Sequence, residues 1–281
     1  MKKFNVVNYH ITNRCNYHCS YCFGKFNGQA DPSLDEAKMV IDKICKYFIE
    51  NNIEGRINLA GGEPLLYKHL DELIDYIYSC GISVSIVTNA SLLTTEQINA
   101  WAGKVCCIGI SIDSLLRDTN LKIGRHCNKN TLSLFRLIEL SNDIRKCHMD
   151  LKINTVVSQL NLKEDLSTLY KALNPHKIKL FQMHLIDGIN DCAKSYEITE
   201  NDFLQFCDRH KEFKSIMVLE PCGSMENSYL MVNPNGELQI NDKGTYRTFG
   251  NLNSSPLDEL LKKAPLDSEK FNSRYTNEEF I

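Results

Sequence analysis

Apolar residues recur along the first two thirds of the chain in two alternating rhythms. Short runs rich in Val, Ile, Leu and aromatics, the mark of strands, fall at 5–12, 56–59, 83–88, 106–112, 150–157 and 177–186. Between them apolar residues return every third or fourth position, the repeat of one helix face, at 34–51, 68–80, 95–102, 129–146 and 162–173. Two of these stretches open on recognisable helix starts, Asp31-Pro32-Ser33 and Thr94-Thr95-Glu96. Strands followed by helices in six successive units predict a parallel sheet with helical crossovers. Six units are too few to close an eight-fold barrel. The expected fold is therefore α/β, an open, partial (βα)6 TIM-like barrel over 1–190, with a doubly wound sheet as the competing arrangement.

After Asp187 the rhythm breaks. A helix is expected at 199–213, then a hairpin of 229–232 and 237–240 around the turn dipeptide Asn235-Gly236. The last forty residues are polar and weakly patterned. Residues 191–281 are expected to form a C-terminal extension of helix, hairpin and tail, packed on the barrel as a lid.

Composition narrows this picture without redirecting it. The 281 residues are 43% hydrophobic and 24% charged, with net charge −3, so no global basic excess points to nucleic acid or a membrane surface. Any anion site must come from local placement of cations. No apolar window is long enough to span a bilayer, and the first residues lack a signal-peptide pattern, so a cytoplasmic location is expected. Cysteine is abundant, at twelve. Cys45, Cys80, Cys106, Cys107 and Cys147 sit in apolar periodic segments and read as small buried hydrophobes.

Cys15, Cys19 and Cys22 do not fit that reading. They lie on the loop after the first strand, at the C-terminal mouth where such barrels build their sites. Thiolates are the natural ligands of iron–sulfur clusters, and three of them leave one iron of a four-iron cube open. A zinc site completed by His18 is the competing reading. The spacing C-x3-C-x2-C, with Tyr21 before the last Cys, resembles the signature of radical S-adenosylmethionine (SAM) enzymes. Gly61-Gly62-Glu63-Pro64, at the end of the second strand, matches that family's motif for the SAM amino group. The resemblance implies a [4Fe–4S] cluster on the three cysteines, with Tyr21, Phe23, Gly61, Gly62, Glu63, Asn89, Ser111 and Arg125 around SAM.

Four strands also carry a polar pair at i and i+2, hence on one face: Asn8 with His10, Arg56 with Asn58, Lys152 with Asn154, Lys177 with Lys179. Helices must cover the other face, so these pairs are expected to point into the barrel, where four cations await a compact polyanion. A nucleoside triphosphate has that charge.

The stretches Asn8-Tyr-His-Ile-Thr-Asn-Arg-Cys-Asn-Tyr17, Ile57-Asn-Leu-Ala-Gly-Gly-Glu-Pro64, Lys152-Ile-Asn154, Lys177-Ile-Lys-Leu-Phe-Gln182 and Ser228-Tyr-Leu230 together resemble the viperins, an antiviral radical SAM family. The resemblance implies conversion of CTP, or of UTP or GTP as in prokaryotic relatives, to the 3′-deoxy-3′,4′-didehydro nucleotide. In that family a 5′-deoxyadenosyl radical takes the C4′ hydrogen and the 3′-hydroxyl leaves as water. Asn8, Arg56, Asn58, Lys152, Asn154, Lys177 and Lys179 would line the nucleotide pocket, and Tyr229 would return hydrogen to the intermediate. A flavodoxin or ferredoxin is the implied electron donor and a monomer the implied state, with no nucleic-acid or membrane partner. The chain departs from animal members at Ala60 (Ser there), Arg56 (Lys there), in lacking their membrane helix, and in ending Glu-Glu-Phe-Ile281 without their C-terminal Trp. Lys270 and Arg274 are candidate tail cations for the triphosphate. A radical SAM enzyme acting on a peptide or cofactor precursor, and a non-enzymatic iron–sulfur or zinc adaptor, remain open. For the former, Cys192, Cys207 and Cys222 lack the close spacing of an auxiliary cluster and read as incidental.

Overall fold

Strand follows helix in the expected order through the computed structural model, which describes residues 3–24 and 30–275. The barrel part runs β1 (Val6–His10), α1 (Leu34–Glu50), β2 (Arg56–Ala60), α2 (Leu70–Ser79), β3 (Ser83–Thr88), α3 (Thr95–Ala100) and β4 (Val105–Ser111). It continues through α4 (Arg117–Ile123), α5 (Leu134–Lys146), β5 (Asp150–Val157), α6 (Ser167–Leu173) and β6 (Lys177–Gln182). Beyond it come α7 (Glu200–Arg209), β7 (Met217–Glu220), α8 (Cys222–Met225), β8 (Met231–Val232), β9 (Glu237–Asp242), β10 (Thr245–Asn251), α9 (Leu257–Lys263) and α10 (Ser268–Tyr275).

The ten strands of the described residues form one sheet, ordered β10-β9-β8-β1-β2-β3-β4-β5-β6-β7. From β8 to β7 neighbours are parallel, whereas β9 and β10 are antiparallel additions. Consecutive strands β1 to β7 lie side by side with no reversal, which removes the doubly wound alternative. The sheet is not closed, so the fold is a partial TIM-like barrel.

Local chemistry explains the helix starts. Ser33 caps α1 through a reciprocal pair: its Oγ accepts from the Glu36 amide, and Glu36 Oε2 accepts from the Ser33 amide at 2.8 Å. Thr94 with Gln97 and Thr199 with Asp202 repeat the device for α3 and α7. The core is continuous from strand faces (Val7, Tyr9, Ile57, Leu59) through helix faces (Ile41, Ile44, Leu73) to Leu238, Leu257 and Phe271 of the extension.

Several expectations need correction. The helix expected at 129–146 begins only at Leu134, because Asn128 and Lys129 take positive φ and a Cys127–Asn130 bridge precedes the Ser133 cap. The helix at 199–213 stops at Arg209 and passes into a 3-10 stretch, Lys211–Ile216. The hairpin forms, but β8 holds only Met231 and Val232, leaving Tyr229 ahead of it. The tail is not patternless, for it supplies β10, α9 and α10. Cys45 and Cys107 are buried, whereas Cys80, Cys106 and Cys147 are half-exposed. The ending at 278–281 lies outside the described residues. Among the described residues no helix is long and apolar enough to cross a membrane.

Candidate active site

The cysteine loop leaves β1 at the C-terminal mouth and is gripped from two sides. On one side the Gly62 amide donates to Thr12 O and the Glu63 amide to Arg14 O, both at 2.8 Å. A Cβ on Gly62 would stand 2.2 Å from Arg14 O, and one on Gly61 2.4 Å from Thr12 O. In this structure the two glycines admit the backbone of the cysteine loop itself, a closer approach than the ligand contact read from sequence. On the other side the His18 amide donates to Gly124 O and the Ser20 amide to Ile123 O. Gly124, at φ +89°, has room for no Cβ, since His18 O would lie 2.3 Å away.

Side chains complete the grip. Asn89 Nδ2 donates to Asn16 Oδ1 at 2.9 Å and approaches Cys15 Sγ at 3.9 Å. Arg125 donates to Ser111 O at 2.6 Å, pairs with Asp113 at 3.1 Å and reaches Cys19 Sγ at 3.8 Å. Asp113 is itself buried, and accepts from the Tyr21 hydroxyl and, at 2.7 Å, from the Val156 amide. Sequence reasoning missed Asp113, for its meaning depends on an arginine twelve residues away. Glu63 is fully buried, accepting from Thr88 Oγ1 at 2.6 Å and the Asn89 amide at 2.7 Å, which couples the ends of β2 and β3. Burial raises its carboxyl above the ordinary range.

The thiols are close enough to influence one another. Burial, reinforced by Cys22 and Cys15, lifts Cys19 to about 12, against the pull of Arg125. Cys15 is raised for the same first reason. His18 is exposed where Cys19 is buried. Among the described residues no three His, Cys, Asp or Glu side chains converge tightly enough for a single metal ion. Three thiols on one loop, with Arg125 beside Cys19, are a donor set that fits an anionic iron–sulfur cluster.

Below the mouth lies a cavity of about 310 Å³. Cys19, Cys22, Tyr21, Phe23, Gly61, Ser111 and Arg125 line one end, and Asn8, His10, Arg56, Asn58, Lys152, Asn154 and Lys179 line the strands beneath. The i, i+2 pairs thus share one lumen on β1, β2 and β5; on β6 only Lys179 does, while Lys177 is half-exposed and not part of the lining. Asn89, Ser111 and Arg125 meet again around a small adjoining recess. A polar ladder crosses the strands: Ser85 Oγ donates to Asn58 Oδ1, and Asn58 Nδ2 to Asn8 Oδ1 at 2.8 Å. Asn154 Oδ1 is a buried acceptor without a hydrogen-bond partner, which a polar ligand would satisfy. Burial lowers His10 to about 4, so its ring is neutral near pH 7 and the lumen's positive charge rests on Lys and Arg.

Tyr229 also lines this lumen and leads to a second residue the sequence did not mark. Its hydroxyl donates to Glu220 Oε1 at 2.9 Å. Glu220, at the end of the unforeseen β7, is 1% exposed and also receives Arg274 Nε at 2.7 Å and Lys179 Nζ at 3.5 Å. Arg274 spends its remaining donors on the carbonyls of Ser224, Ser228 and Lys270, and Lys270 donates to Gly223 O. The two tail cations therefore fasten α10 to the 220–228 segment, and neither is among the cavity-lining residues. Cys192 is exposed, Cys207 buried and Cys222 half-buried.

An open parallel barrel with three loop cysteines at its mouth and a cationic lumen defines a class, and comparison with known proteins agrees. Residues 9–165 match the Radical SAM superfamily. Curated proteins named S-adenosylmethionine-dependent nucleotide dehydratase are 32% identical in Fibrobacter sp. (97% of this chain, 88% of that protein) and 32% in Psychrobacter lutiphocae (96% and 94%). The RSAD2 protein of Siniperca chuatsi, of the same name, is 33% identical over 80% of this chain and 65% of its own length. Among solved structures, Streptococcus suis SuiB bound to its precursor peptide superposes with a TM-score of 0.72 over 98% of this chain and 67% of SuiB, at 15% identity. The AdoMet-bound anSMEcpe does so at 0.66, over 95% and 82%, at 14% identity. These two show the fold alone. The chain belongs to the radical SAM superfamily and, within it, to the viperin-type S-adenosylmethionine-dependent nucleotide dehydratases. It is an enzyme of that type, which removes the adaptor reading.

Proposed function

We propose that this enzyme dehydrates a ribonucleoside triphosphate, CTP in the first instance with UTP and GTP as alternatives, to its 3′-deoxy-3′,4′-didehydro analogue. The observation that carries this is the placement of Arg56, Lys152 and Lys179 in the same lumen as Cys19 and Cys22. Cys15, Cys19 and Cys22 would hold the cluster, leaving one iron for SAM, whose surroundings would be Tyr21, Phe23, Gly61–Glu63, Asn89, Ser111 and Arg125. When bound, cluster and SAM supply a carbon radical that removes one substrate hydrogen. The chain's own part is binding, orientation and charge neutralisation. Lys152, Lys179 and Arg56 neutralise the triphosphate, while Lys177, outside the lining, is left to the cavity's approach. Asn8, Asn58 and Asn154 offer hydrogen bonds to the sugar and phosphates. The lumen would hold the ribose toward the cysteine end.

Tyr229 would return the hydrogen. Burial first, and the Glu220 carboxylate second, hold its phenol well above the ordinary pKa, so the O–H stays intact near pH 7. A flavodoxin or ferredoxin would supply electrons to a monomeric enzyme, and CTP product would act as a polymerase chain terminator in antiviral defence. The test is anaerobic incubation with dithionite, SAM and each nucleotide, scored for 5′-deoxyadenosine and for the didehydro product. Tyr229→Phe should still cleave SAM when nucleotide is present and give little product. Product at the normal rate from that variant would remove Tyr229 from the mechanism; no product from the unaltered chain with any nucleotide would remove the reading itself.

A further inference from the structure

The reading above assigns the last hydrogen to Tyr229 and leaves the phenol to be restored. Four polar groups meet in one buried place: the Tyr229 hydroxyl, the Glu220 carboxylate, the Arg274 guanidinium and the Lys179 ammonium. Both Arg274, at 4.2 Å, and Lys179, at 5.8 Å, also lie over the Tyr229 ring, and Lys179 lies 5.3 Å from the ring of Tyr275. Glu220 is the acidic group against which the phenol rests, and its hydrogen bond fixes the hydroxyl at the cavity wall.

We propose that Glu220 is the positioning residue of Tyr229 and carries the proton that regenerates its phenol; this rests on the role given to Tyr229 above. When the Tyr229 O–H bond breaks, its hydrogen joins the departing 3′-hydroxyl as water, the C3′–C4′ double bond is completed on the nucleotide, and a neutral phenoxyl remains. Restoring the phenol takes one electron and one proton. The electron comes from the same reduced flavin or iron–sulfur protein that serves the enzyme. The proton crosses the 2.9 Å contact from a Glu220 carboxylic acid, re-forming the O–H bond and leaving a carboxylate. Glu220 then takes a proton from water before the next cycle.

Two cations hold Glu220. Arg274 stays on Glu220 throughout, because its other donors are held by the backbone of 224, 228 and 270. Lys179 faces both Glu220 and the cavity, so a bound triphosphate competes for it. With Lys179 drawn to phosphate, Glu220 keeps Arg274 and the Tyr229 hydroxyl as partners; as the product leaves, Lys179 returns to it.

The experiment is Glu220→Gln in the reconstituted enzyme. Gln keeps the hydrogen-bond acceptor and cannot carry the proton. A single turnover of product is expected, followed by arrest, with a phenoxyl signal in electron paramagnetic resonance that a Glu220→Gln/Tyr229→Phe double variant lacks. CTP binding to the cluster-free chain, measured by calorimetry, should persist. Glu220→Asp, which keeps the carboxylate and draws it back, should turn over repeatedly but slowly, with the signal transient and longer-lived in D2O. Unchanged steady turnover in Glu220→Gln overturns the proposal, as does failure of even the first turnover with CTP still bound. If Glu220→Gln does not fold, normal turnover without a detectable radical in Glu220→Asp overturns it equally. Should the unaltered enzyme make no product from any nucleoside triphosphate, the fault lies in the underlying reading instead.

Discussion

Alanine at Cys15, Cys19 or Cys22 is expected to reduce SAM cleavage to background and to remove most of the iron, from about four atoms per chain in the reconstituted protein. The three thiols sit on one loop held between Gly61–Gly62 and Gly124. Folding should survive, because the loop's anchoring bonds run through backbone amides and carbonyls that Ala retains. Iron and sulfide assays, visible absorbance and thermal melting distinguish loss of cluster from loss of fold. Stoichiometric zinc after anaerobic purification, with no uptake of iron, would contradict the assignment.

Lys152→Ala should weaken nucleoside triphosphate binding by about ten- to a hundredfold while leaving SAM affinity unchanged, the loss of one charged hydrogen bond of ~1.5–3 kcal/mol. Lys152 enters the lumen beside Gly109, its register partner on β4, where an added Cβ would press to 3.0 Å of the lysine stem. Gly109→Val should therefore weaken the same ligand by crowding the same side chain. Lys179→Ala should differ, because it also releases Glu220 and disturbs Tyr229. It should lose both affinity and product formed per SAM cleaved. Calorimetry with CTP and with SAM checks both statements, and equal loss of the two ligands would mean these lysines are structural.

What the sequence revealed and what it hid follow from the range of the interactions. The parallel strands β1 to β6 and the helices α1 and α2 were legible because burial on both faces leaves long apolar runs and one-sided helical stripes. The cysteine loop was legible because its ligands sit within eight residues. Met217–Glu220 was not, since four residues after a 3-10 stretch carry too little periodicity. Thr245–Asn251 escaped because it is an edge strand with no fully buried side chain to mark one face. Glu220 and Asp113 look like ordinary surface acids in sequence. Their burial is explained only by Lys179, 41 residues away, by Arg274, 54 away, and by Arg125. The same long-range partners redirected Lys270 and Arg274 from a triphosphate to the anchoring of α10.

The short pairing of β8 with β1 has a consequence for anyone shortening this chain. Asn8 and Tyr9 are covered by Met231 and Val232, the Asn8 amide donates to Leu230 O, and Phe4 stacks on Phe271 at 4.9 Å. A fragment ending near residue 190 keeps every cysteine of the triplet, yet strips β1 of its only neighbour on that flank. It becomes an exposed edge strand whose free amides and carbonyls invite pairing with another copy. The apolar surface once under Phe271 and Leu230 opens beside it. Such a fragment should self-associate on size-exclusion chromatography more than the full chain does, which would make the extension the barrel's guard against aggregation.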